Sequence, residues 1–537
     1  MPIANTIFSD KLVLVIDDSE GMRTQLRISL SASGFGKLHL VGSIKDALDK
    51  MSLTKYDVIL CDYSLGESTN GQQFLEYLRT NDLIRRNTIF VMISAEQSYE
   101  KVVGVSECAP DDYLLKPFTA AQFNARLEKL LERQLYFAAI DKATDTKNWL
   151  RVLAECEKLL AKPDKYFFDI AKIKGVALLR ANRVAAAVEH YQSVLSQRAI
   201  GWAKLGLAKA KAATGDAAAA QQLLNEIIRE TPQFMAAYDF LAKLQVDAGK
   251  TEDAYNVLQK ARLMAPGTMS RVRELSSLAV ETGKPEVAES VMRETLKRHR
   301  YSPVRQANDY ALLSKALVKQ GKAEDALSFV KEAQQNFKDE KSQILLAASE
   351  SVAHKVAGKP DLAEAALGKA MALGTDLGSL SADALLAMAE ACFANGKEGE
   401  ATRLLQYAVQ NHDEDRSVGH KLHSIMVAAG KDPSEAAALI TSSQQQIIEL
   451  NNDGVRKAQA GQLAEAIKLL SQAAERLPNN LQIVSNVALV LALDLTKNGN
   501  SAEKMAKCLG YREALARKSP NYPKLEQIDS LLRQLKA

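Results

Sequence analysis

At 537 residues the chain is too long for one ordinary hydrophobic core, and a norm of about 150 residues per domain predicts three or four domains or one extended array. Hydrophobic residues make up 47% and charged residues 25%, with only 13 Pro and 27 Gly, which excludes collagen-like, low-complexity and wholly disordered chains. The 69 basic and 65 acidic residues leave a net charge of +4, too weak a field to imply nucleic-acid binding, and it is uneven: −3 up to residue 135 and +7 after it.

Aromatics are scarce at 6% while Ala and Leu are plentiful, a balance that suits closely packed helices better than β-sandwiches. The five cysteines, Cys61, Cys108, Cys156, Cys392 and Cys508, are odd in number and form no CxxC pair, which argues against a disulfide or zinc framework and for a reducing compartment. No apolar run approaches the roughly 18 residues that span a bilayer, and the opening Met1-Pro2-Ile3-Ala4-Asn5 lacks a signal-peptide layout. The expected location is the cytoplasm.

In chain order, short β-branched runs at 12–16, 38–41, 58–61, 89–93 and 112–115 alternate with helical stretches, the pattern of an α/β doubly wound five-stranded parallel sheet. Ligands of such sheets sit beyond the carboxyl ends of the strands. Asp17 and Asp18 follow the first run, Asp62 the third, Ser94 the fourth and Lys116 the fifth, so all five fall on one sheet edge. Two adjacent acids with a third on a neighbouring strand can hold a hard divalent cation, and Mg²⁺ favours such an oxygen site completed by phosphate. With the charge neutralised, a carboxylate can attack phosphorus while a hydroxyl and an ammonium hold the phosphoryl oxygens. That chemistry is an aspartyl-phosphate site.

These residues, in this order, resemble the receiver domain of two-component response regulators, a flavodoxin-like fold, over about residues 10 to 135. The resemblance implies Asp62 as phosphoacceptor, Asp18 and Asp62 as metal ligands, Asp17 as a ligand mainly through water, and Ser64 as a ligand through its backbone carbonyl. It further implies Ser94 as switch hydroxyl, Tyr113 as switch aromatic, and Lys116 as the phosphate-binding cation, followed by a cis bond to Pro117. The loop 63–71 departs from the family: it lacks the common Met-Pro pair, and its Gly71 stands nine residues after Asp62, one further than usual. Asn70-Gly71 suits a turn with positive φ.

Beyond Pro117 the character changes. Apolar residues at helical spacing, Phe123, Leu127, Leu130, Leu131 and Leu135, predict a long helix from Ala120 to Ala139, with the polar stretch 144–148 able to break it. No Ser/Gly-rich tether follows, so the two halves are expected to be stiffly coupled.

From about residue 150 the pattern is helical and periodic. Gly215, Gly249 and Gly283 are spaced by 34 residues, each followed after five by Ala220, Ala254 or Ala288. Asn182 with Ala187 precedes them, while Gly321, Gly358, Gly396 and Gly461 continue with Ala326, Ala363, Ala401 and Ala466; the segment around Gly430 fits poorly. Pro232, Pro266 and Pro478 stand 17 residues after their Gly, where a helix must stop. Spacings of 37 and 38 around Gly358 imply lengthened helices or loops. The pattern resembles tetratricopeptide repeats over roughly residues 150 to 537, an all-α solenoid.

Other features point nowhere further. His412, His420 and His423 lack a zinc-like spacing to another ligand, and no P-loop, GxGxxG, GxSxG or HExxH occurs. Lys and Arg of the repeats are interspersed with acids, as on solvated helix faces.

The reading is a receiver at 1–135, including the start of the linking helix, and a helical repeat domain at 136–537, similar to bacterial receiver-plus-repeat regulators of the VieB-like kind. The resemblance implies a histidine kinase or phosphotransfer protein as phosphodonor and output through protein contact of the repeats, with homodimerisation as one form of response. It implies neither DNA nor membrane binding and no catalytic output. Two alternatives stay open: a scaffold or adaptor with an inactive receiver, and a phosphatase or hydrolase using the acid cluster.

Overall fold

The alternation read in the strands sorts their side chains onto two faces. In the computed structural model, which describes residues 8–65, 69–81, 83–95, 110–161, 165–266, 268–300, 302–412, 415–499, 501–519 and 522–535, seven strands are present among the described residues. They are β1 (Leu12–Ile16), β2 (Lys37–Val41), β3 (Val58–Asp62), β4 (Ser64–Leu65), β5 (Thr69–Asn70), β6 (Ile89–Ser94) and β7 (Asp112–Leu115). Five make one parallel sheet in the order β2-β1-β3-β6-β7, and β4 and β5 form a small antiparallel pair with Ser64 opposite Asn70. Val13, Val15, Val58 and Leu60 face Leu26, Leu30 and Phe123, whereas Leu14, Ile16, Ile59 and Cys61 face Ala47, Phe74 and Leu75. Both faces are buried, as a parallel sheet requires.

The helices start where short polar side chains satisfy free N–H groups. Ser19 caps α1 (Glu20–Ala32) and Ser43 caps α2 (Ile44–Leu53). Asn70 with Gln73 forms a capping box on α3 (Gly71–Thr80), and Thr119 with Gln122 forms another on α4 (Ala120–Asp145).

Helix α4 has 26 residues, six beyond the predicted end at Ala139. Its first half buries Phe123, Leu127 and Leu131 in the sheet core. Leu135, expected on the same stripe, is 54% exposed instead, because past this point the helix leaves the sheet and packs Phe137, Ile140 and Ala143 against Val152, Cys156 and Ile170. One helix thus serves two cores on different faces. Polar contacts fix it to the strand end remote from the acids: Gln134 Nε2 donates to Asn87 O (2.5 Å), Lys11 Nζ to Gln134 Oε1 (2.9 Å) and Arg86 Nε to Asp141 Oδ1 (3.2 Å). The break foreseen in 144–148 lies at Lys147 (φ 53°), after which Asn148 caps Trp149–Leu160.

From Trp149 to Gln534 every described element is helical. Asn182 and Gly215, Gly249, Gly283, Gly321, Gly358, Gly396, Gly430 and Gly461 all lie between helices with φ between 55° and 85°. The following N–H closes each helix end, as in Lys250 N to Gln245 O (2.8 Å) and Lys284 N to Ala279 O (2.7 Å), the αL stop that glycine makes without strain. Ala187, Ala220, Ala254, Ala288, Ala326, Ala363, Ala401 and Ala466 are all fully buried. The irregular spacings have local causes: helix Glu340–Val356 has 17 residues, and a 3₁₀ turn at Leu377–Ser379 is inserted before Ala382–Ala394. Around Gly430 the turn is ordinary (φ 80°), but the helix after it, Pro433–Gln459, runs unbroken for 27 residues to the turn at Gly461.

A regular set of ion pairs accompanies the turns. Lys284, Lys322, Lys359, Lys397 and Lys431, each following its glycine, meet Glu252, Glu289 (2.7 Å), Glu324 (2.5 Å), Glu364 (3.1 Å) and Glu398 (2.6 Å) from the second helix of the preceding pair.

By contact density the chain divides into two units, Met1–Ala242 with Asn256–Glu274 and Arg293–Arg305, and Lys243–Tyr255 with Leu275–Met292 and Gln306–Ala537. Cys61, Cys156, Cys392 and Cys508 are free and buried; Cys108 lies outside the described residues. No described helix is long and apolar enough to cross a membrane.

Candidate functional site

The carboxyl end of the sheet gathers the predicted residues. Asp17 leaves β1 and is 1% exposed; Asp62 ends β3 at 8%; Ser94 ends β6 at 1%. Asp18 is exposed beside them, and one carboxylate oxygen from each of Asp17, Asp18 and Asp62 lies within 4.8 Å of the others. Lys116, one residue past β7, places Nζ 3.0 Å from Asp17 Oδ2 and 3.2 Å from Asp62 Oδ2. Its backbone N–H donates to Ser94 O (2.7 Å), and Tyr63 N–H donates to Ile93 O (2.7 Å), so the sheet ladder extends into the site. The Lys116-Pro117 peptide is cis.

Three carboxylates against one ammonium set the electrostatics. Burial pushes the Asp62 carboxyl above its usual range, Lys116 opposes this and Asp17 adds to it. For Lys116, burial alone would lower the ammonium, but the hydrogen bond to Asp17 and the Asp62 charge outweigh it and hold it above the ordinary lysine value. The neighbouring Cys61 thiol is pushed far up by burial and by the charges of Asp62 and Asp17, which leaves it without thiolate character. A donor set of hard carboxylate oxygens in excess of local positive charge fits a divalent cation such as Mg²⁺.

The remaining predicted residues are placed as follows. Ser64 is exposed at the start of β4, two residues past Asp62. Tyr113, on β7, is half-buried against the cluster containing Phe74 and Met92. Gly66, Glu67 and Ser68 of the departing loop lie outside the described residues. The expected positive φ at Asn70-Gly71 is not found: Asn70 is extended (φ −96°) and Gly71 opens α3. Glycine is needed there for space, since an added Cβ would lie 2.5 Å from the Asp62 carbonyl oxygen and 2.7 Å from Met92 Sδ. The histidines make no comparable site, because among the described residues the only group of three or more His, Cys, Asp or Glu placed to share an ion is Asp17, Asp18 and Asp62.

Sequence reading missed Arg23, whose Nη1 donates to the carbonyls of both Asp17 (2.7 Å) and Asp18 (3.0 Å). Only the position of an Arg in the first turn of the helix that follows the Asp pair could have suggested it.

Comparison with known proteins places this geometry. The response regulator receiver domain family matches residues 13–128. The alkaline phosphatase synthesis transcriptional regulatory protein PhoP of Bacillus subtilis is 32% identical over 124 residues, 23% of this chain and 50% of that protein, so the chain spans half the length of this relative. Chemotaxis protein CheY-3 of Vibrio cholerae is 26% identical over 121 residues, 22% of this chain and 92% of the relative. Among solved structures, the receiver domain of the Francisella response regulator 1452 is 27% identical, covering 23% of this chain and 98% of that one, with a TM-score of 0.21. Receiver domains act as phosphoacceptors without a separate catalytic output domain, and an acid cluster consistent with that role is intact at the end of this sheet. Residues 13–128 therefore match a receiver domain, and an extended, mostly helical region follows them.

Proposed function

We propose that this protein is a cytoplasmic response regulator of a two-component phosphorelay, with a receiver at 1–135 and tetratricopeptide-like repeats at 136–537 that signal by binding another protein. The observation that carries the reading is the Lys116 ammonium bridging Asp17 and Asp62 within the acid cluster, with Ser94 buried at the adjacent strand end. A divalent cation, Mg²⁺ by the donor set, would be held by Asp18 and Asp62, by Asp17 mainly through water and by the Ser64 carbonyl, and supplies charge neutralisation when bound. Asp62 attacks the phosphorus of a phosphohistidine on a histidine kinase or phosphotransfer protein; the P–O bond forms as the P–N bond breaks and the imidazole leaves. Lys116 then exchanges its Asp62 contact for a phosphoryl oxygen, Ser94 donates its hydroxyl to another, and Tyr113 turns inward.

The periodic αL turns, the buried Ala at each fifth following position and the Lys–Glu pairs support stacked repeats, whose surface suits peptides and helices. Helix α4, sharing its residues between the two cores, gives the receiver a route to the helices, through their orientation or through homodimerisation.

Incubation of the full chain with a labelled phosphohistidine donor and Mg²⁺ tests the reading. Expected is one acid-stable, base-labile phosphoryl group, lost in Asp62→Asn and in EDTA. Incorporation that survives either change, or sustained release of phosphate from small esters, overturns it.

A further inference from the structure

We infer that Arg23 is a positioning residue for the acid pair, holding Asp17 and Asp18 in the turn that points both carboxylates at the cation site; this rests on the phosphoacceptor reading above. Successive carbonyls of a strand point in opposite directions, so a single donor cannot reach two in a row while the chain stays extended. Arg23 Nη1 nevertheless reaches Asp17 O at 2.7 Å and Asp18 O at 3.0 Å. The chain is thus bent at the Asp17-Asp18 peptide, just past the end of β1 at Ile16.

Three further contacts define the bend. Asp17 N–H still completes the sheet ladder to Val41 O (3.2 Å), so the last extended residue is fixed. Ser19 N–H returns to Asp17 Oδ1 (2.9 Å) and orients that carboxylate, leaving its Oδ2 to Lys116. Arg23 itself stands in the first turn of α1, whose start Ser19 caps. The space for the guanidinium comes from the end of β2: a Cβ on Gly42 would lie 3.2 Å from Arg23 Nη1. Asp18, exposed and with no place in the sheet ladder, is the acid that depends most on this clamp.

The role is distinct from that of the ligands. Arg23 is directed at main-chain oxygens, so it sets where the carboxylates are rather than binding the cation or the phosphoryl group. Because one nitrogen makes both contacts, an ammonium of sufficient reach can replace it, whereas a side chain with the same stem and no donor cannot.

The test titrates Mg²⁺ alone into the full, unphosphorylated chain by calorimetry, for the natural protein, Arg23→Met and Arg23→Lys, with thermal midpoints in EDTA recorded for each. Expected is about a tenfold loss of Mg²⁺ affinity in Arg23→Met, within the range of outer-shell effects on metal sites, recovered at least in part by Arg23→Lys. The thermal midpoints in EDTA should move little, since Arg23 is half-exposed. Unchanged Mg²⁺ affinity in Arg23→Met overturns the positioning role while leaving the phosphoacceptor reading intact. If Arg23→Met loses stability in EDTA as well, Arg23→Lys decides: restored affinity upholds the role, and restored stability without restored affinity overturns it. Absence of Mg²⁺ binding by the natural protein overturns the phosphoacceptor reading and the inference together.

Discussion

At the scale of single residues, the ionised Asp62 carboxylate costs stability because it is buried. Asp62 has a folded carboxyl value raised above its ordinary 3.8, chiefly by burial. Its contribution to stability is therefore fully present below about pH 3.8 and is lost as pH rises through the raised value, so at pH 7 the ionised group is a net burden. Asp62→Asn should stabilise the metal-free protein at pH 7 by on the order of 1 kcal/mol, read as a higher thermal midpoint. The gain should vanish near pH 3 and shrink when Mg²⁺ stabilises the natural protein; a lower midpoint at pH 7 would contradict this account. The places of Asp17, Asp18, Asp62, Ser94 and Lys116 at one sheet edge were legible from sequence because they come at the ends of apolar runs. Arg23 and the close approach of Gly71 were not, because both depend on where a neighbouring main chain passes.

At the scale of elements, close packing decides how a substitution acts. Tyr191, on Val184–Gln197, lies between Gly175 of Phe167–Arg180 and Gly206 of Gly201–Ala213; an added Cβ would fall 2.5 Å from its ring at the first and 2.2 Å at the second. Alanine in place of a mid-helix glycine ordinarily gains up to about 1 kcal/mol of helix propensity, but overpacking commonly costs about 1–3 kcal/mol. Gly206→Ala should therefore destabilise, whereas Gly510→Ala, in Ala502–Lys518 with no atom within 4 Å of the new methyl, should stabilise by roughly 0.5–1 kcal/mol. Urea midpoints of the two variants that move in the same direction would refute the contrast. The five strands of the parallel sheet were readable to within a residue because β-branched runs report burial on both faces, whereas the short pair β4 and β5, read as loop, was not. The misfit around Gly430 showed in the sequence, but its cause, the 27-residue helix Pro433–Gln459, did not, since a missing break leaves no punctuation to read. The exposed Leu135 was misplaced for a related reason: helical spacing predicts a single stripe, and α4 changes partner halfway along.

At the scale of the whole molecule, the last helices close an apolar surface. Leu515, Leu525, Ile528 and Leu532 pack with Leu491, Leu495 and Leu470 in one cluster. A chain ending after Asn498 should expose that surface, lose helix beyond the residues removed and become protease-sensitive within Leu463–Asn498. Unchanged per-residue ellipticity would show that these helices stand without their neighbours. Signalling belongs to this scale too. If the receiver governs the helical region, partner affinity of the full chain should differ about 5–150-fold between unmodified and beryllofluoride-treated protein, the span of a coupling of about 1–3 kcal/mol. Equal affinities with unchanged oligomeric state would separate the two functions.

The lysines that follow the glycine turns give the helical array a sensitivity to its medium. Each Lys–Glu contact joins one helix pair to the next at the surface, where a single exposed pair contributes at most about 1 kcal/mol. Taken together along successive turns, they tie the fate of each pair to its neighbours through a charge term that ionic strength can dial down, since the screening length falls from about 8 Å at physiological salt to about 3 Å at 1 M. The helical region should therefore lose part of its coupling in concentrated salt while its shared apolar packing persists, a difference read as a shallower urea transition at about 1 M NaCl than in dilute buffer. Acetylation of these lysines would act as concentrated salt does, loosening the array rung by rung without touching a single residue of its core.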